Sequence, residues 1–365
     1  MLRKIELYVV EVIKGWRRGM IPCIVRGGLL AMSWVYRCVV AMRNKAFDRG
    51  WCRCYHSAVP VVSIGNIVAG GTGKTPAVLM FAKEFLMDHN IAILSRAYRS
   101  FAEKQSYPVL VGQCSCNICG DEPYLISKNF PQASVFAGRD RVRASKMAEK
   151  QGAQLIILDD GMQYRRLARD FEVIVIDGHD PFGKEKFLPA GFLREEKKAL
   201  SRADFIIVNG SIAPQRFEVL KETLRKYTKA PVVAAQMEVT KIWKHDGGEV
   251  KSLQGKKVGM FCGIAHPEKF QKTLEDLGAD VVAQYFVADH VPIQESALKQ
   301  FAYSCQQKGA QALVCTEKDK VKYNNFVNQP LPVIWIQAKL SICGDRDEYL
   351  WKAFLKQVKE KVSQN

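Results

Sequence analysis

Lys74 and Thr75 stand near the end of VPVVSIGNIVAGGTGKTP (residues 59–76), where a β-branched run enters a glycine cluster and a proline follows. Strand, glycine-rich turn, Lys-Thr, helix is the order of a loop whose backbone N–H groups cradle phosphates at a helix N-terminus. In that reading Gly70, Gly71, Thr72 and Gly73 form the cradle, Lys74 reaches the β- and γ-phosphates, and the Thr75 hydroxyl ligates Mg²⁺. Pro76 falls in the first helical turn, where a missing N–H is tolerated. One position departs from the standard pattern: Val68, six before Lys74, occupies the place of a glycine. The chain has only just left the strand there, so that side chain need not face the ligand. An ordinary glycine turn does not account for G-x-G-K-T directly after an apolar strand, and nucleotide binding is expected.

Other groups able to serve such a loop lie further along. LIILDDGMQ ends an apolar run on Asp159 and Asp160, where P-loop enzymes place a Mg²⁺-directed acid. Adjacent carboxylates on an extended strand point to opposite sides, so one can face the metal while its neighbour orients something else. Phosphoryl transfer to an alcohol also asks for a group that accepts the hydroxyl proton. Asp121 and Glu122, in GDEP, and the pair Asp289-His290 are the candidates, since a carboxylate beside an imidazole fixes its tautomer and raises its basicity. Arg139, Arg141, Arg143, Arg165, Arg166 and Arg169 are suited equally to neutralising phosphates or to solvated helix faces.

The elements that must position these groups alternate. Strand patterns at 59–64, 91–94, 154–158, 172–176, 204–208, 230–234, 257–262, 281–286, 311–315 and 331–335 are separated by helical patterns near 76–88, 139–151, 214–227, 266–277, 294–308 and 347–360. Runs apolar throughout and separated by helices are parallel strands buried on both faces. The expected fold is α/β: a P-loop NTPase-type doubly wound parallel sheet with a second, smaller α/β domain and a two-stranded linker. A chain of 365 residues suits two domains better than one. Residues 46–235 are expected to form the P-loop domain and 257–365 the second. The stretch 236–256 alternates polar and apolar around Asp246-Gly247-Gly248 and is expected to be a hairpin connector.

Composition narrows the partners. Lys plus Arg number 54 against 37 Asp plus Glu, a net charge of +17, which favours an anionic partner: nucleic acid, an anionic membrane or a phosphorylated substrate. No nucleic-acid-binding motif appears, and aromatics are not interleaved with the basic runs, so nucleic acid is not expected. Eleven cysteines scattered along a long chain point to reduced thiols, including Cys114, Cys116 and Cys119, whose spacing is irregular for zinc. Residues 20–42, MIPCIVRGGLLAMSWVYRCVVAM, are long enough to span a bilayer but are interrupted by Arg26 and Arg37, which share a helical stripe with Ser33. Residues 1–45 are therefore expected to hold an amphipathic helix in the membrane interface, supported by Arg3, Lys4, Lys14, Arg17 and Arg18. Packing of this helix on the protein's own core is the alternative.

Taken in order, VSIGNIVAGGTGKTP, LSRAYRS, GDEP, DRVRAS, ILDDGMQYRRLARD, FLPAGFLREE, FCGIAHPEKF, ADH and CTEKDKVK resemble the tetraacyldisaccharide 4′-kinases of lipid A biosynthesis over most of the chain. The resemblance implies an ATP- and Mg²⁺-dependent kinase that phosphorylates the 4′-hydroxyl of a tetraacylated glucosamine disaccharide 1-phosphate, the lipid A precursor, to give lipid IVA. It implies two α/β domains with ATP in the cleft, at the cytoplasmic face of the bacterial inner membrane. By motif, Lys74 and Thr75 handle phosphate and Mg²⁺, Asp121 is the base paired with His290, and Glu122, Asp159 and Asp160 serve the metal. Three positions depart: Tyr164 replaces a histidine, Ala97 a glycine of the kind that serves positive φ, and REE replaces REP. A membrane-associated P-loop ATPase switch without a lipid acceptor is the alternative; its loop typically carries an extra early lysine, which AGGTGKT lacks.

Overall fold

A computed structural model describes residues 8–13, 15–210, 212–287, 293–323 and 329–364; the Asp289-His290 pair lies outside these. Twelve strands form one continuous sheet: β1 (Val61–Gly65), β2 (Ile91–Ser95), β3 (Val109–Leu110), β4 (Ser134–Ala137), β5 (Leu155–Asp159), β6 (Phe171–Asp177), β7 (Phe205–Asn209), β8 (Val232–Lys244), β9 (Lys257–Cys262), β10 (Asp280–Phe286), β11 (Ala312–Thr316) and β12 (Val333–Ile342). Their order is β10-β9-β11-β12-β8-β7-β6-β1-β5-β2-β4-β3. β1, β2, β5 and β7 are buried at every residue, which is why they read as unbroken apolar runs. β3 and β4 went unanticipated, being only two and four residues long.

The sheet has two halves, parallel apart from the edge strand β3, joined where β8 pairs antiparallel with β12 from Ala235–Ile342 to Lys244–Ile334. Two strands join the halves as expected, but they are not the hairpin expected within 236–256. The turn at 245–248 closes only a short ladder, with Val250 N–H donating to Ile242 C=O at 2.7 Å, while the long partner of β8 comes from about ninety residues away. Alternation marked β8 as half-exposed but carried no information about its partner. The expected second unit is also not contiguous. The helix Asp345–Ser363 returns to the first half, where Trp351, Phe354, Leu355 and Val358 join Phe81, Phe85 and Phe205 in one core. The second half has its own cores around Met260, Leu274 and Val314, and around Phe261, Leu298 and Leu313.

The helix Met20–Asp48 is long and apolar enough to cross a membrane by length and composition. Its polar stripe is turned toward the protein. Ser33 Oγ donates to Phe187 C=O at 2.9 Å, Arg37 Nε lies 2.9 Å from Glu196, and Arg165 Nη2 lies 2.7 Å from Asp48. Fully buried Glu195 accepts from Asn44 Nδ2 and Arg202 Nη2, both at 2.8 Å, and from Gln163 Nε2 at 3.2 Å. Met20, Ile21, Ile24, Met32, Trp34, Val35, Val39 and Met42 remain exposed, Trp34 at 67%. On that stripe Ser33 and Arg37 dock the helix on residues 187–196 and Arg26 donates to Val12 C=O and Arg17 C=O, so the apolar face is left outward.

Candidate active site

β1 lies between β5 and β6, so the loop leaving β1 opens beside the carboxyl end of β5. Crevices outside the carboxyl ends of parallel strands are the ligand sites of such sheets. The helix after the loop begins at Lys74 with Gly73 as its N-cap, in the left-handed region at φ 95°. A side chain at Gly73 would collide with Asn209, whose amide donates to Thr72 C=O at 3.0 Å; one at Gly71 would come within 2.8 Å of the Ala265 methyl. These positions accept glycine alone, which fits a cradle of bare backbone N–H groups. Val68 is buried among Ile67, Phe182 and Leu193, away from the cradle. Thr72 is turned inward as well: its hydroxyl accepts from Asn66 Nδ2 at 2.9 Å and its N–H donates to Gly70 C=O at 3.1 Å. Thr75 sits in the first turn of the helix, half-buried.

The acids at the end of β5 have different partners, because the strand stops at Asp159 and Asp160 turns out of it. Asp159 is buried and accepts from Ser95 Oγ at 2.8 Å; burial, with Glu122 and Asp160 nearby, pushes its carboxyl up to about 7. Asp160, at φ 51°, has left the strand and faces the cations. Burial opposes its ionisation, but Lys74 at 3.8 Å and the Arg194 guanidinium at 2.8 and 3.0 Å prevail and hold it below the usual carboxylate range. Arg194 also donates to Asn66 Oδ1 at 3.2 Å. Its own backbone N–H donates to Ile67 C=O, so the segment that holds the N-terminal helix is stitched onto the phosphate loop.

Among the six arginines weighed in the sequence, the structure brings Arg141 to the site. It is buried, donates to the Asp160 carbonyl at 3.0 Å, stacks on Tyr164 at 5.3 Å, and keeps Nε and Nη2 without partners among the described residues. Arg165 anchors the N-terminal helix, and Arg169 ties Glu172 to nearby carbonyls at 2.9 Å or less apart from a longer bond to Met162. Ala97 adopts φ 59°, the conformation suspected from the missing glycine. Burial pushes the Cys116 and Cys119 thiols up to about 11 and about 12, so both stay protonated.

Asp121 opens the helix Asp121–Asn129 and is 8% exposed. Lys318 and Lys322, from the second half, lie 3.5 and 3.6 Å from its Oδ2, and Lys318 lies 3.1 Å from Glu122. Sequence reading missed Arg194, Lys318 and Lys322 as site residues. The signal lay in FLREE and CTEKDKVK, which were noted without roles.

A bare-backbone cradle at a helix N-terminus, a lysine at its rim and acids at the adjacent strand end define a P-loop-type phosphotransferase. A family model described as tetraacyldisaccharide-1-P 4′-kinase matches residues 26–359. The tetraacyldisaccharide 4′-kinase of Chlamydia pneumoniae is 34% identical over 334 residues, covering 87% of this chain and 89% of that protein. That of Halothermothrix orenii is 29% identical over 374 residues, covering 95% and 97%. A crystal structure of an "apo" form of LpxK from Aquifex aeolicus in complex with ATP is similar, with a TM-score of 0.70 at 30% identity, over 91% of this chain and 99% of that one. This chain belongs to the tetraacyldisaccharide-1-P 4′-kinase family, and its activity is that of an ATP-dependent kinase acting on a lipid A precursor.

Proposed function

We propose that this chain transfers the γ-phosphate of ATP to the 4′-hydroxyl of a tetraacylated glucosamine disaccharide 1-phosphate, working from the membrane surface. The convergence of Lys74, Arg194, Asp160 and Asp159 on the mouth of the glycine loop carries the reading. The N–H groups of Gly70, Gly71, Gly73 and Lys74 and the Lys74 ammonium would hold the phosphates, with Thr72 bracing the loop from inside; Thr75, Asp159, Asp160 and Glu122 are the candidates for Mg²⁺. An ion of this kind is held by one or two carboxylates plus phosphate oxygens rather than by an all-protein cage. Bound MgATP supplies the phosphoryl group and offsets the charge that builds during its transfer.

The chain's own residues do the rest. Arg194 and Lys74 share Asp160, so the Lys74 ammonium is held at the loop rather than in solvent. Asp121 takes the proton of the attacking sugar hydroxyl, with His290 as its proposed partner. The exposed apolar face of Met20–Asp48 lies in the membrane interface, which brings the cleft to an acyl-chain-bearing acceptor. An apolar face of this size on a +17 protein fits the cytoplasmic leaflet, where each basic residue near the surface contributes about 1 kcal/mol. The test is transfer from γ-labelled ATP to the lipid acceptor in mixed micelles. Label on the disaccharide at the 4′-oxygen is expected; label recovered only as free phosphate would favour an ATPase.

A further inference from the structure

The short helix Glu317–Lys322 leaves the end of β11 in the second half, capped by Thr316, whose Oγ1 accepts from Asp319 N–H at 3.2 Å. Residues four apart share a helix face, so Lys318 and Lys322 point the same way. That face meets the first turn of the helix Asp121–Asn129, while Lys320 stacks on Trp335 at 5.3 Å instead. Asn129 Nδ2 donates to Glu317 Oε1 at 3.1 Å and keeps the two helices in register.

Lys322 is the more constrained of the pair. Its side chain is 6% exposed; it donates to Gly263 C=O at 3.0 Å and lies 3.5 Å from Asp319 and 3.6 Å from Asp121. Asp319, fully buried, accepts from Gly263 N–H at 2.9 Å and from the Thr316 hydroxyl at 2.6 Å. Gly263 begins the loop whose Ala265 lies against Gly71 of the phosphate cradle. One chain of contacts thus joins Asp121, Lys322, Asp319 and the loop that covers the glycines.

Asp121 belongs to the first half of the molecule, yet both cations come from the second. A nearly buried carboxylate must be paired to stay charged. Both ammonium groups lie at ion-pair distance from Oδ2, while Oδ1 accepts from Glu122 N–H at 3.1 Å, so charge on one side and a hydrogen bond on the other orient the carboxylate. Glu122 and Asp159 are close enough to act on each other electrostatically, and the lysines offset the crowding of like charge there. We propose that Lys318 and Lys322 are positioning residues for phosphoryl transfer: they set the Asp121 carboxylate from the second half and so make the base depend on how the halves are joined. The inference rests on the reading of Asp121 as the base.

The test is a double-mutant cycle between Lys322→Met and Asp121→Asn on single-turnover transfer to lipid, with ATP affinity and thermal melting measured separately. Lys322→Met is expected to lower the transfer rate at least tenfold with ATP affinity within twofold. In the Asp121→Asn background it is expected to change the residual rate by less than twofold, since the group it positions is gone. Lys318→Met, at a more exposed position, should show the same pattern with a smaller loss and serves if Lys322→Met fails to fold. Lys320→Met, which faces away, should transfer at the wild-type rate. Equal losses in both backgrounds, a loss carried by ATP affinity, or no loss in either lysine variant would overturn the inference. An Asp121→Asn enzyme that keeps near-normal turnover would instead overturn the reading of Asp121 as base.

Discussion

Replacing Arg194 by methionine should damage catalysis through a residue that need not touch the acceptor. Arg194 holds Asp160 by charge-assisted bonds of 2.8 and 3.0 Å, while Lys74 stands 3.8 Å from the same carboxylate. At an effective dielectric of about 20, unit charges at those distances attract by about 6 and about 4 kcal/mol, as upper bounds on the gross terms. With the guanidinium gone, Asp160 has Lys74 as its nearest cation and draws the ammonium away from the phosphates it should serve. Loss of one preorganised cation or donor from a transferring group typically lowers kcat by about 10²–10³. Arg194→Met is expected in that range, about 3–4 kcal/mol of transition-state stabilisation. Arg194→Lys keeps the charge but loses the fork and should fall in between. Initial rates of lipid phosphorylation over a range of ATP give kcat and KM, and circular dichroism checks the fold. Arg194→Met within threefold of wild type, with an unchanged melt, would refute the assignment.

Three further outcomes are expected. Because burial raises the Asp159 carboxyl from 3.8 to about 7, Mg²⁺ binding with ADP should tighten by up to about tenfold per pH unit up to pH 7 and level off above it. The same shift stabilises the metal-free fold below the unfolded-state value, and this contribution is lost as pH rises through about 7; calorimetry across pH 5–8 checks both, and a flat profile would contradict them. Trp34→Ser with Val39→Ser removes two exposed apolar groups worth about 2 kcal/mol each when buried, so vesicle binding should weaken by about 10²–10³-fold with kcat on a detergent-dispersed acceptor little changed; unaltered flotation would leave the helix without its membrane role. Asp121→Asn combined with His290→Ala should be little worse than either alone if they act as one unit, and fully multiplicative losses would separate them.

Much of this site is written in local sequence. The β1 run, the glycines and Lys74 are contiguous, so the loop could be read directly, although of the two constrained glycines only Gly73 owes part of its constraint to its own backbone, while Gly71 is confined by the distant Ala265. Asp159 and Asp160 could be picked out for the same reason, but the left-handed turn at Asp160 that gives them different partners could not. Nor could Arg194 and the lysines. Arg194 reaches Asp160 across 34 residues, and Lys318 reaches Glu122 across 196, distances over which spacing carries no signal. The partner of β8 and the return of Trp351 to the first core were hidden likewise, since pattern marks which face is buried but not against what. The stripe of Arg26, Ser33 and Arg37 was visible in the N-terminal helix, but what satisfies it was not: Phe187 C=O, Glu196 and the carbonyls of Val12 and Arg17 are brought there by the fold.

The account turns on Lys74, the loop's own cation, being fixed at the rim of a glycine cradle to steady the phosphoryl group in flight. Single-turnover transfer by Lys74→Ala, at saturating ATP and with the fold verified, probes that directly. A fall to below about 1% of the wild-type rate is the expected result, on the scale of a lost electrostatic stabiliser. Turnover close to wild type would mean that the phosphate is held elsewhere and that the cradle at residues 70–75 is not the site of the chemistry.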